Sequence, residues 1–166
     1  MISKDKTYLK IAKEISKLSK DKETKVGAVI VDQYGKVVSM GYNGACSCMN
    51  DDNIPHSRKN NIVNVKIPKQ LMDKYPDNVS FLTNKYPYFL HAEQNSILTS
   101  SDNNRLKNAT IYITHYPCNV CSNMIAQTGI KKIVCYDNRV GSIDSFIKES
   151  LFIIQEAGLD LKIIKK

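Results

Sequence analysis

Residues 109–137, ATIYITHYPCNVCSNMIAQTGIKKIVCYD, decide the fold. A β-rich run, ATIYIT, leads through a proline into helix-forming residues at about 119–128; Gly129 follows, and the chain resumes as the β-rich KKIVCYD. Glycine closes a helix readily, because it adopts the left-handed backbone on which helices end. Strand, helix and strand in that order predict a crossover unit with a parallel pair.

The alternation extends both ways. Downstream, a helix at about 142–157 capped by Gly158 precedes a last strand, DLKIIK. Upstream, a helix is expected at about 91–100. Near the start, Tyr8, Ile11, Ala12, Ile15 and Leu18 recur at helical spacing, which predicts an amphipathic helix over about 7–19 with a lysine-rich outer face. VGAVIVD and KVVSMGY flank the turn residues QYG and read as a β-hairpin. Together these predict an α/β protein: a three-layer α/β/α sandwich with a mixed five-stranded sheet and helices on both faces. From 43 to about 87 the pattern dissolves into Gly, Asn, Asp, Ser and Pro, with a short helix expected around PKQLMDKY. Connections of that length usually carry function or are mobile, which makes this one a candidate for substrate contacts, subunit contacts or both.

At 166 residues the chain is expected to form one domain spanning 1–166. No run is long and apolar enough to span a bilayer, and MISKDKTYLKIAKEISKLSK carries charges where a signal peptide needs an apolar stretch, so the expected location is cytoplasmic. The five cysteines, an odd number, then read as reduced thiols or metal ligands. A formal charge of +8 invites a nucleic-acid partner, but Arg58, Arg105 and Arg139 are the sole arginines and tryptophan is absent. That composition favours a solvated basic surface over a groove built on guanidinium forks and stacking rings, and positive charge also suits a small phosphorylated substrate.

The chemistry lies in two short motifs. His91 and Glu93 stand two apart in FLHAEQNS; Cys118 and Cys121 stand three apart behind Pro117. Both motifs open predicted helices, whose positive dipole ends favour thiolate over thiol. Two sulfurs and one imidazole suit zinc, and three protein ligands leave a fourth tetrahedral position for water, the mark of a catalytic site. Glu93, one residue removed from His91, reaches that water without binding the metal. Alone, C-x-x-C is commonly a structural zinc knuckle or a redox pair, and H-A-E arises by chance. Paired in this order, H-x-E with P-C-x-x-C is the known signature of zinc nucleobase deaminases, in which the glutamate carries the proton. Cys135, in a predicted strand, reads as a core thiol.

More of the chain bears on the family. SKDKETKVGAVIVD, GYNG, KYPYFLHAEQNSIL and PCNVCSNMIAQTGIKKIV resemble, over nearly the whole length, the deoxycytidylate (dCMP) deaminases of the cytidine deaminase-like superfamily. The resemblance implies hydrolytic deamination of dCMP to dUMP, one catalytic Zn2+ held by His91, Cys118 and Cys121, and Glu93 as proton shuttle. It further implies Asn43 as a nucleoside contact, Ala92 with its backbone toward the base edge, and Tyr116 either lining the pocket or packing in the core. Lys20, Lys22, Lys25 and Arg139 are the basic candidates for the substrate phosphate, and His115 is read as pocket lining. A homo-oligomer, a hexamer by resemblance, and dCTP and dTTP as effectors are implied too. After GYNG, however, this chain has ACSCMNDDNIPHSR where many members carry a small-residue and proline segment linked to that control. Cys46, Cys48 and His56 in this loop are the donors for a second ion; two unbonded thiols and an exposed histidine are the preferred reading. The alternative function is editing of a base in a nucleic acid with the same zinc chemistry.

Overall fold

The computed structural model describes residues 3–74, 76–137 and 145–165. The first half runs α1 (Lys4–Ser16), β1 (Gly27–Val31), β2 (Val37–Tyr42), β3 (Gly44–Ala45), β4 (Asn61–Lys66), β5 (Asn78–Thr83) and β6 (Phe89–Leu90). The second half runs α2 (Ala92–Leu98), β7 (Thr110–Ile113), α3 (Asn119–Thr128), β8 (Lys132–Tyr136), α4 (Ser145–Glu156) and β9 (Asp160–Ile164). Among the described residues no helix is long and apolar enough to cross a membrane.

Five strands form the main sheet in the order β2-β1-β7-β8-β9. β1 runs antiparallel to β2 and to β7, whereas β7, β8 and β9 are parallel, so the sheet is mixed as expected. The opening stretch is the crossover it predicts: α3 carries the chain from β7 to β8, with Thr110 opposite Lys132 and Ile113 opposite Cys135. Gly129 ends α3 in the left-handed region at φ 80°.

Alternation along the strands divides the core in two. Ala28, Ile30, Ile111, Ile113, Ile133 and Cys135 face Ala92 of α2, Ile125 of α3 and Ile154 of α4. Val29, Val31, Tyr112 and Val134 turn the other way, onto Leu9 and Ala12 of α1. Helices thus cover both faces, which makes the three-layer sandwich.

Two expectations change. The first helix starts and stops three residues earlier than its apolar spacing suggested: the Ser3 hydroxyl accepts the N–H of Lys6 at 3.2 Å and caps the helix, with Asp5 in its first turn. Leu18, counted on the buried face, falls beyond the end and is exposed, while Leu9 takes the core position. The long connection is also more regular than read. Where a short helix was expected, one 3-10 turn at Lys69–Leu71 joins two strands, β4 and β5, paired antiparallel from Asn61 opposite Thr83 to Lys66 opposite Asn78.

By compactness the chain forms two units, Met1–Gly44 with Leu90–Lys166, and Ala45–Phe89. The first holds the five-stranded sheet and the four α-helices of the described residues. The second is the β4–β5 hairpin with the turns around it, including His56, whose ring meets the edge of Phe89.

Candidate active site

Gly41 decides where α2 lies. A Cβ on it would stand 2.4 Å from the Ser96 nitrogen and 2.5 Å from the Ala92 carbonyl oxygen, so the helix settles on β2 because that residue has no side chain. The Ser39 hydroxyl donates to the Ser96 carbonyl at 2.6 Å and the Asn95 amide to the Tyr42 carbonyl at 2.7 Å, which fixes the helix along the strand. His91 caps this helix, its N–H donating to Oε1 of Gln94 at 2.8 Å. Glu93, in the first turn, is buried.

Cys118 caps α3, and the N–H of Cys121, one turn on, donates to its sulfur at 3.5 Å. Behind it, the buried Ser150 hydroxyl of α4 donates to the Pro117 carbonyl at 3.0 Å and meets the Ser122 hydroxyl at 2.7 Å, anchoring the turn that carries the thiols.

Two helix starts thereby bring three donors together. Nδ1 of His91 lies 3.6 Å from Sγ of Cys118 and 3.4 Å from Sγ of Cys121, and the three atoms lie within 4.8 Å of one another. A tetrahedral zinc, with bonds of about 2.0–2.1 Å to nitrogen and about 2.3 Å to sulfur, requires nitrogen–sulfur separations near 3.5 Å. The donor set fits zinc in chemistry and in spacing. Among the described residues, this is the group of histidine, cysteine and carboxylate donors that converges; Cys46, Cys48 and His56 do not form a second one.

The protons of the cluster are shared under strong mutual influence. Donation from the Cys121 thiol, outweighing burial, together with His91, pulls Cys118 down to about 4. Cys121 is pushed far up as the donor to that thiolate, and burial adds to the effect. The hydrogen bond to Cys118 raises His91 despite burial. Burial also raises the Glu93 carboxyl, with His91 acting in the opposite sense. A site that already gathers negative charge against imidazole is one a cation can enter by displacing protons.

The other expected residues are placed as follows. Ala92 is fully buried under β2. Tyr116 packs against the larger core cluster. Asn43 is buried and its amide is engaged by the chain: Oδ1 accepts the N–H of Val26 at 2.7 Å, while Nδ2 donates to Asp21 at 3.1 Å and to the Thr24 carbonyl at 2.9 Å. Lys25 is exposed, its Nζ 3.4 Å from the Lys17 carbonyl. Lys22 is exposed as well, and Arg139 lies outside the described residues. Nδ1 of His115 meets the Thr114 hydroxyl at 3.2 Å. All five cysteines are free thiols, with Cys135 buried in the core. Two groups escaped the reading of motifs, the Asp21 loop around Asn43 and the Ser122–Ser150 pair. Turn-forming S-x-D was the one visible trace of the former; a serine on α4 gives no trace of the latter.

The comparisons agree with this geometry. The family model of the cytidine and deoxycytidylate deaminase zinc-binding region matches residues 2–137. A probable deoxycytidylate deaminase of Caenorhabditis elegans is 34% identical over 138 residues, 83% of this chain and 59% of that protein. The deoxycytidylate deaminase of Enterobacteria phage T2 is 32% identical over 168 residues, 89% of this chain and 88% of that protein. The chain thus spans roughly three fifths of the length of its worm relative and most of that of its phage relative. The crystal structure of a dCMP deaminase from cyanophage S-TIM5, in complex with dCMP and dUMP, superposes with TM-score 0.65 at 26% identity, covering 96% of this chain and 95% of that one. The three-layer fold, the converging His91, Cys118 and Cys121, and these matches lead to one conclusion: the chain belongs to the zinc-dependent cytidine and deoxycytidylate deaminase family.

Proposed function

We propose that this protein hydrolyses dCMP to dUMP and ammonia, with His91, Cys118 and Cys121 holding zinc and Glu93 moving the proton. The observation that carries the reading is the convergence of those three donors beside a buried glutamate, in a chain whose phage relative is a deoxycytidylate deaminase. Zinc held there would supply Lewis acidity and lower the pKa of water to about 7. Glu93 accepts the water's proton, and its burial, by raising its affinity for that proton, suits it to give the proton up again. It delivers the proton to the ring nitrogen beside the amino-bearing carbon and then assists departure of ammonia. The C–N bond breaks, a C=O bond forms, and water and dCMP balance dUMP and ammonia. Around the ring, Ala92 offers its backbone to the base edge, Tyr116 lines the pocket and Asn43 meets the nucleoside. With both N–H groups of its amide committed, Asn43 has an oxygen lone pair to offer, and the partner for that is a sugar hydroxyl. Lys25 and Arg139 supply positive charge for the phosphate.

The same reading takes residues 1–166 as one working deaminase domain in the cytoplasm, assembled as a homo-oligomer, with dCTP and dTTP as effectors. Its test is ammonia release by zinc-loaded protein from dCMP, dCTP, CMP, deoxycytidine and a cytosine-containing oligonucleotide, each with and without dCTP or dTTP. Turnover of dCMP above the others is the expected result; turnover of the oligonucleotide alone would replace the reading with nucleic-acid editing.

A further inference from the structure

Asn43 has no freedom to choose its orientation. Oxygen faces the N–H of Val26 at 2.7 Å, and nitrogen faces two acceptors, the Asp21 carboxylate at 3.1 Å and the Thr24 carbonyl at 2.9 Å. Rotating the amide by half a turn would set donor against donor and acceptor against acceptor.

Asp21 is the centre of this arrangement and is 3% exposed. Its Oδ1 serves the local turn, accepting the N–H groups of Glu23 at 2.8 Å and Thr24 at 3.1 Å. Its Oδ2 is the oxygen directed at Asn43. The loop closes on itself: the Asp21 N–H donates to the Ser19 hydroxyl at 3.2 Å, which donates to the Asn43 carbonyl at 2.7 Å. A turn of this kind needs one acceptor oxygen, and a serine or asparagine could supply it. The charge of the Asp21 carboxylate makes the bond to the Asn43 amide stronger than a neutral acceptor would.

The ring of bonds stands at the end of the sheet where the zinc donors gather. Tyr42, just before Asn43, pairs with Gly27, whose N–H donates to the Thr114 hydroxyl at 3.0 Å at the end of β7. Cys118 follows four residues beyond Thr114. We propose that Asp21 is a positioning residue for the substrate: it locks the Asn43 amide with nitrogen inward and oxygen available, so that Asn43 meets a nucleoside hydroxyl as an acceptor. This rests on the reading of Asn43 as a nucleoside contact.

The test compares Asp21→Ser, Asn43→Ala and the double variant, each with dCMP and with the analogue lacking the 3′-hydroxyl, 2′,3′-dideoxycytidine monophosphate. Serine keeps an acceptor for the turn and withdraws the one that reaches Asn43. Asp21→Ser should lower kcat/KM for dCMP by about tenfold or more, with zinc content unchanged. The penalty should vanish on the hydroxyl-free analogue and in the Asn43→Ala background. An equal penalty in either would overturn the proposal, because Asp21 would then act on fold or metal rather than through Asn43. Wild-type kcat/KM in Asn43→Ala would sink the nucleoside contact and the proposal together, and absence of dCMP turnover in the wild type would remove the activity beneath both. Should Asp21→Ser fail to fold, Asp21→Asn carries the same comparison, since its amide can oppose nitrogen to nitrogen.

Discussion

Two sheets in this chain draw on similar residues and keep them very differently. In the five-stranded sheet Ile111 and Ile133 are fully buried, whereas in the β4–β5 hairpin Ile62 is 71% exposed and Leu82, directly opposite it, is 68% exposed. The difference lies in what covers them. α1 seals one face of the large sheet and α2, α3 and α4 the other, while the hairpin has two strands and, among the described residues, no α-helix in its own unit. A two-stranded ribbon is marginal alone, and its apolar side chains contribute little without a surface to meet. The residues proposed for chemistry, where they are described, sit in the covered unit at helix starts and strand ends. Catalysis requires placement to within about half an ångström, which packed elements provide and exposed ribbons do not.

Glu93→Ala should reduce kcat by ~10²–10⁴-fold while zinc content and melting temperature stay near wild type; residual turnover within tenfold of wild type would end the proton-shuttle role. Cys118→Ser replaces a thiolate with a neutral hydroxyl, so metal analysis after dialysis should find well under one zinc per chain. Full zinc content would remove Cys118 from the ligand set. Between the sheets themselves, Ile111→Ala should cost about 2–5 kcal/mol in denaturant unfolding, and Leu82→Ala less than about 0.5 kcal/mol. Equal costs would mean that the hairpin is covered in solution.

A further modest effect concerns Asp5. Burial alone would raise its carboxyl, but hydrogen bonds from Lys162 and Tyr112 outweigh burial and hold it below the usual range. A depressed carboxyl contributes stability above its unfolded pKa and loses it as the pH falls. Lys162→Met should therefore lower stability by at most about 1 kcal/mol near neutrality, the pair being partly exposed. The gap between wild type and variant should close in melts below about pH 4; a gap unchanged at pH 3 would contradict the assignment.

The contrast also explains what could be read in advance. Residues 109–137 announce their crossover because each element declares itself locally, by β-rich runs, a proline and a closing glycine, and the core then enforces the same pattern. His91, Glu93, Cys118 and Cys121 are legible for a like reason, as two short spacings that helix geometry converts into one cluster. The β4 strand, NIVNVK, carries alternation too, but no burial backs it, and Asn and Lys within it read as loop. Asp21 and Asn43 are joined by a bond that spans 22 residues of sequence, and Ser122 and Ser150 by one that spans 28. Such pairings arise when the sheet and helices have packed; no periodicity encodes them. The first helix was displaced for a smaller reason, a serine cap ahead of the first apolar residue.

Turnover of dCMP by the zinc-loaded protein in water enriched in the heavy oxygen isotope shows whether this site hydrolyses dCMP with water. Hydrolysis yields dUMP carrying one labelled oxygen on the ring carbon that bore the amino group, with one ammonia released per dUMP. No dUMP at full zinc content, or dUMP without the label, would contradict it.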